Sequence, residues 1–262
     1  MKNLLQLSCI TLAWASPSLA QSASELHALA GHQRNADNLC RSLDYVNALK
    51  TYQYVLAQRL PKQGNQHTDI GVVYNNMGVA FYYSGENKKA LQAYEAALKV
   101  ILPSRGENHP EVATIRCNIA FVKESESKLD DALELFEKSM KVRLRTFGES
   151  HPHAADCHEG FGLVKEAQEK REEAIKHFEK SLEARIKKHG ANHTDVGASY
   201  AGLALVHLNK DDFDKANEFD EKARAILGQT KGAYPLNRNP ISRLRPAPPE
   251  MLRATSKSLR QP

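Results

Sequence analysis

Between residues 67 and 228 the apolar positions recur three and four residues apart, in paired runs, and the whole pattern returns every 42 residues. In the first copy Val72, Asn76, Val79 and Tyr83 share one side of a helix. Ala90, Tyr94, Ala97 and Leu98 line a second helix, at the spacing that keeps them on one face. Gly85-Glu86-Asn87 is the turn between them. A fixed period of this length marks an array of stacked supersecondary units, and here each unit reads as two helices.

Several columns keep the 42-residue step. His67, His109, His151 and His193 form one, Ala90, Ala132, Ala174 and Ala216 another. Gly78, Ala120, Gly162 and Ala204 are always small, because only Gly or Ala lets the axes of two pressed helices approach closely. Tyr94, Phe136 and Phe178 supply the bulk beside them. Asp220 breaks that last column, which predicts a frayed or solvated final helix, as terminal repeats often show.

The joints follow one recipe. Gly106, Gly148 and Gly190 suit the left-handed conformation that ends a helix. Pro110 and Pro152 suit the first turn of the next helix, where a missing amide proton costs nothing. The histidines precede that turn. Stacked helices lie about 8–10 Å apart, whereas zinc holds all its ligands within about 2 Å, so a histidine ladder at repeat spacing cannot converge on a metal.

Tyr74, Met77, Gly78, Phe81, Ala90, Tyr94 and Ala97 stand in the tetratricopeptide repeat (TPR) pattern, and the chain resembles that family over residues 67–228. The usual unit has about 34 residues. Eight more are carried here, in the run Lys99 to Asn108 and its copies. "LPSRGENHPEV", "RTFGESHPHAA" and "KKHGANHTDVG" look like the inter-repeat connection of the kinesin-light-chain type. The resemblance implies an all-α fold: a right-handed α-solenoid of helix–turn–helix units whose first helices line a concave groove.

The expected organisation is then a secretory signal at 1–20, a divergent capping repeat at 25–66, and full repeats at 67–108, 109–150, 151–192 and 193–228. A basic Pro-rich tail at 229–262 is expected to be disordered. In the leader, Lys2 precedes the apolar run Leu4 to Ala15, which is too short to span a bilayer, and Ser18-Leu19-Ala20 offers small residues for cleavage. Export to a secreted or periplasmic location follows, with a cytoplasmic protein as the alternative. No run in the sequence is long enough for a transmembrane segment. Cleavage would leave Cys40, Cys117 and Cys157, an odd number at unrelated repeat positions, which gives no disulfide framework. In the cap, Ala48, Tyr52 and Gly64 align with Ala90, Tyr94 and Gly106.

The tail carries seven Lys or Arg against Glu250 alone, so 7 − 1 = +6, while the whole chain is +5 and the rest about −1. Six of eleven prolines lie there, and such composition cannot offset the entropy of folding. Nucleic acid or an anionic surface would be bound only through this arm.

No Gly-rich phosphate loop, G-x-S-x-G elbow or HExxH motif is present, so a non-enzymatic protein without cofactor, metal or small-molecule substrate is expected. One local cluster, His151, His153, Cys157 and His158, supplies the alternative of a metal-dependent or hydrolytic protein. What remains is the groove. Its inward positions include Arg34 in the cap, Asn75, Asn76, Val79, Tyr82 and Tyr83 in the first full unit, and Asn118 and Phe121 in the second. Asparagine both donates and accepts, which suits the backbone of an extended peptide. Tyrosine offers contact area at low entropy cost. Peptide-binding arrays of the family use asparagines of the first helix in this way, and Asn76 and Asn118 match that position, whereas Gly160 and Gly202 replace it later. A clamp for a C-terminal carboxylate wants several lysines on this face, and Arg34 is nearly alone. The expected function is a protein-interaction scaffold holding an extended segment of a partner, with a structural spacer or tail-mediated binding as the remaining alternative.

Overall fold

The computed structural model describes residues 17–228. The leader through Ser16 and the basic tail from Gln229 lie outside the described residues. Ten α-helices follow one another: α1 (Pro17–Arg41), α2 (Tyr45–Gln63), α3 (Thr68–Tyr83), α4 (Asn87–Arg105), α5 (Pro110–Ser125), α6 (Leu129–Phe147), α7 (Pro152–Ala167), α8 (Arg171–His189), α9 (Thr194–Asn209) and α10 (Phe213–Leu227). Each odd helix packs on the even helix after it, and each even helix packs on the next odd one. The fold is an all-α solenoid. No helix among the described residues is long and apolar enough to cross a membrane.

The small-against-large columns are the core of each unit. Ala90, Ala132 and Ala174 are fully buried, and Tyr94, Phe136 and Phe178 are almost so. A Cβ added at Gly78 would stand 2.5 Å from Cε1 of Tyr94, and one at Gly162 2.9 Å from the Phe178 ring. Burying each large ring contributes about 1.5–3 kcal/mol, and the small residue opposite is what lets the ring in.

The repeated histidines are N-caps. His67, His109, His151 and His193 adopt extended backbone before α3, α5, α7 and α9. In each, Nδ1 accepts from the amide two residues on at 3.2 Å. One of the orphan donors of each helix start is thus satisfied.

Three expectations are corrected or narrowed. The run Lys99 to Arg105 is not a connection but the end of α4, so the extra residues lengthen the second helix of the first three full units to 19 residues against 16 for the first. Pro103 lies inside the last turn of α4, where it removes one backbone amide donor. The joint glycines have positive φ, but not the left-handed helical conformation: Gly106 has φ 79° and ψ 166°, Gly148 φ 82° and ψ 170°. That region is open in practice to glycine alone. Of the two outcomes expected for the final helix, it is solvated, with most of its positions exposed, and not frayed. α10 runs for 15 residues with Ala216, Ala223 and Ile226 buried, and Phe219 stacks on Tyr200 with centroids 6.1 Å apart. Asp220 forms an ion pair with Arg224 at 2.6 Å instead; the aromatic has moved by one residue.

A further column lies in the turn inside each unit. Leu43, Gly85, Ser127, Glu169 and Asp211 all have φ between 60° and 84°. Glycine occupies this left-handed position once, and four other residues accept its strain.

Candidate functional site

Successive odd helices touch one another, α1 with α3, α3 with α5, α5 with α7 and α7 with α9, whereas no two even helices do. The odd helices therefore line the inner side of the curve. On this side, across α1, α3 and α5, lies a relay of side-chain amides. Asn118 Nδ2 donates to Asn75 Oδ1 at 3.0 Å. Asn75 Nδ2 donates to Asn76 Oδ1 at 3.1 Å. Asn76 Nδ2 donates to Asp37 Oδ1 at 3.0 Å. Asp37 Oδ1 also accepts from the Tyr52 hydroxyl at 2.5 Å. Burial, together with this bond to a carboxylate, pushes the Tyr52 hydroxyl pKa far up, so it stays a donor. Since its proton goes to Asp37, the Cys40 thiol 3.9 Å away donates to the hydroxyl oxygen.

The relay has a direction. Every amide passes a proton bond toward Asp37, and the chain starts at Asn118, whose Oδ1 accepts from no side chain or backbone donor among the described residues. All three asparagines are half-buried. Each uses one amide proton within the relay and keeps a second.

The other groove residues expected from the sequence divide into two groups. Arg34 is exposed, and Val79 and Tyr83 are half-buried. Tyr83 stacks on Tyr45, centroids 6.1 Å apart. Tyr82 and Phe121 belong to the core instead, at 7% and 1% exposure. Phe121 packs edge-on against Phe136 at 5.0 Å. These two offer little surface to a ligand, because both are packed into the core cluster that runs through α4, α5 and α6.

The fading of amides along the array has a steric cause. A Cβ at Gly160 would collide with the Phe136 ring, and one at Gly202 would come within 2.5 Å of the Phe178 ring. In both cases an aromatic of the preceding unit, 24 residues earlier, fills the place of the amide side chain. Where that earlier residue is tyrosine, at Tyr52 and Tyr94, the later one is Asn76 and Asn118. The units thus come in two kinds, Tyr with Asn and Phe with Gly.

The array is also tied by buried guanidinium groups that the sequence reading missed. Arg59, Arg143 and Arg185 share one column and are 5%, 2% and 3% exposed. Each reaches the first turn of the next odd helix. Arg59 pairs with Asp69 at 2.7 Å. Arg143 donates to the His153 carbonyl at 2.5 Å, and Arg185 to the Asp195 carbonyl at 3.1 Å. Arg185 also donates to Glu159 at 2.5 Å and Asp156 at 3.2 Å. Burial works against both charges at Arg143 and Arg185. The neighbouring thiols and Asp156 outweigh it for Arg143, as Glu159, Asp156 and Asp195 do for Arg185, so both pKa values end above the usual arginine range. Where the column is aliphatic, at Ile101 and Leu227, the facing residue is Gly71 or Gly197, with the side chain seated against it. The signal available in the sequence was the recurrence of arginine at the 42-residue step, interrupted by Ile101.

The four residues of the His151–His158 cluster do not converge. His151 caps α7 and stacks on Phe147 at 4.6 Å. Cys157 turns to Arg143. His158 Nδ1 lies 3.1 Å from Nδ1 of His177 on α8. Among the described residues no group of three or more His, Cys, Asp or Glu is placed to hold a metal ion.

A family model described as tetratricopeptide repeat matches residues 27–102, 69–126, 111–187 and 158–229. The chain belongs to the tetratricopeptide repeat family. Solved structures agree on the fold. BtubC (BKLC) from P. vanneervenii is 22% identical, with a TM-score of 0.58 over 82% of this chain and 93% of that one. A kinesin light chain of Podosopora anserina with nearly identical TPR-like repeats is 18% identical, with a TM-score of 0.55 over 78% of this chain and 97% of that one. The Rap conjugation gene regulator of the plasmid pLS20, solved in complex with the Phr* peptide, is 14% identical, with a TM-score of 0.67 over 84% of this chain and 59% of that one. A comparison with curated protein sequences finds no match.

Proposed function

We propose that this TPR protein is a non-enzymatic scaffold that binds an extended segment of a partner protein across α1, α3 and α5. The observation that carries the reading is the amide relay on the inner side of the curve. It fixes three asparagines in one orientation, and its first member keeps an acceptor for an incoming backbone N–H. Held amides lose little freedom when a ligand arrives, which is the advantage of a preorganised site. Arg34 adds a cation at one edge, and Tyr83 with Tyr45 adds aromatic area. The fold likeness to a Rap regulator solved with a peptide supports the same reading.

The test starts from a partner segment captured by crosslinking in cell extract and resynthesised as a labelled peptide. Binding is followed by fluorescence polarisation. An amide lost from a peptide contact leaves a backbone group unpaired, at about 1–3 kcal/mol, or roughly tenfold or more in Kd. Asn118→Ala is expected to weaken binding by that factor, whereas Asn217→Ala on α10 leaves it unchanged. Tail-mediated binding makes the opposite forecast. Binding that survives Asn118→Ala but vanishes on truncation after Gly228, or in high salt, would sink the groove reading.

A further inference from the structure

We propose that Cys117 and Cys157 form a redox couple whose disulfide staples α5 to α7. The three cysteines of the repeats occupy unrelated columns, and the sequence therefore suggests no pairing. The fold pairs two of them all the same. Cys117 Sγ and Cys157 Sγ each lie 3.3 Å from the same guanidinium nitrogen, Nη1 of Arg143. Their helices are in direct contact. Cys40 is held elsewhere, against Tyr52 between α1 and α2, so the pairing has one solution.

The surroundings set how the couple behaves. Both thiols are buried, at 1% and 0% exposure. The adjacent Cys117 thiol and burial push the Cys157 pKa up, while Arg143 opposes them. Oxidation is consequently slow and proceeds through breathing of the α5–α7 contact, with the guanidinium stabilising whichever sulfur carries the negative charge. The oxidant is a low-molecular-weight disulfide such as oxidised glutathione. One protein thiolate attacks a sulfur of that disulfide; its S–S bond breaks, a glutathione thiolate leaves, and a mixed disulfide forms. The second protein thiolate then attacks the protein sulfur of the mixed disulfide. The intramolecular S–S bond forms and the second glutathione thiolate leaves. Two thiol protons are released, and two electrons have passed from the protein to glutathione.

The cross-link closes a loop from Cys117 to Cys157 that contains α6. It constrains the unfolded chain as well as the native one. It also fixes the spacing of α5 and α7 one residue from Asn118, at the head of the amide relay. Arg143, which lies between the two sulfurs, also donates to the His153 carbonyl.

The full chain, equilibrated with oxidised glutathione, is alkylated in denaturant, digested with trypsin and analysed by mass spectrometry. The expected product links the peptide Cys117–Lys123 to the peptide Thr146–Lys165, with both cysteines protected from alkylation to the same extent. The midpoint of thermal unfolding rises, and a phosphine reductant reverses both changes. Cys117→Ser, checked for native circular dichroism, abolishes both the cross-linked peptide and the rise in midpoint. The proposal is overturned if, at equilibrium, Cys117 and Cys157 stay open to alkylation. Linkage of either to Cys40, or glutathione retained on them as a stable mixed disulfide, overturns it equally.

Discussion

Asn118 on α5 donates its side-chain amide to Asn75 on α3, 43 residues earlier, at 3.0 Å. This bond joins two repeat units across their inner side, and the relay it begins ends on Asp37 in the first unit. A residue in the middle of such a relay has more to lose than one at its end. Asn76→Ala leaves Asn75 without its acceptor and Asp37 with Tyr52 as its one remaining relay donor, and should cost about 1–2 kcal/mol. Asn118→Ala removes one bond at a half-exposed end and should cost less. Urea unfolding of the two variants checks the order; equal losses would mean that the relay is not formed in solution.

Ala132 is fully buried where α6 meets α5. Ala132→Leu should overpack this crossing by about 1–3 kcal/mol. Glu137→Leu, exposed on the same helix, should change stability by no more than about 0.5 kcal/mol. The measurement is the shift in unfolding midpoint for each.

Removing one partner of the Arg185–Glu159 pair leaves a charge in the interior. Arg185→Met should therefore cost about 3–5 kcal/mol. The double change with Glu159→Ala should recover much of that loss, since neither charge then remains buried. Ile101 and Leu227, at the same column, already show that an apolar side chain can fill the place. A double-mutant cycle by chemical denaturation reads the coupling directly.

His158 and His177 face each other between α7 and α8, with Phe161, Lys165, Lys180, Glu149 and Glu173 around them. Burial, then His177 and Lys180, hold the His158 pKa down at about 4. Burial, then Lys180 and Lys165, lower His177 as well. At intermediate pH the unfolded chain binds more protons than the folded one, so stability rises with pH. The contribution is complete above the free value of about 6.5 and is lost as pH falls from there toward about 4. Partial screening by solvent keeps the loss to about 1–2 kcal/mol. Chemical denaturation at pH 7 and pH 5 should show a smaller difference in a variant carrying both His158→Gln and His177→Gln than in the parent.

Ser127 is exposed and holds φ at 61° in the turn between α5 and α6. Glycine already stands at the equivalent Gly85. Relief of left-handed strain is worth up to about 1–2 kcal/mol, partly offset by the greater freedom of glycine in the unfolded chain. Ser127→Gly is expected to raise the thermal midpoint slightly, and a fall would place the strain elsewhere.

The sequence by itself determined what repeats. Its 42-residue step placed the helix pairs, the small-against-large packing and the capping histidines, because each depends on neighbours at a constant offset along one helix or across one pair. It also brought Asn75, Asn76 and Asn118 to the inner side. It could not separate them from Tyr82 and Phe121, since the line between a groove residue and a core residue is one helical step of about 100°. Nor could it show that Lys99 to Arg105 continues a helix, because glycine and proline punctuate that run as they would a loop. Tertiary structure alone decided which departures from the period meet. Asp37 meets Asn76, Arg143 sits between Cys117 and Cys157, and His158 meets His177. Each of these joins residues from different columns, and the first two also join different units, so their contact depends on how far successive units rotate against one another. That rotation is fixed by side chains packed across the whole array, where a ring such as Phe136 takes the space that would otherwise hold an amide at Gly160. A period records what the units share, and the candidate site is built from what they do not.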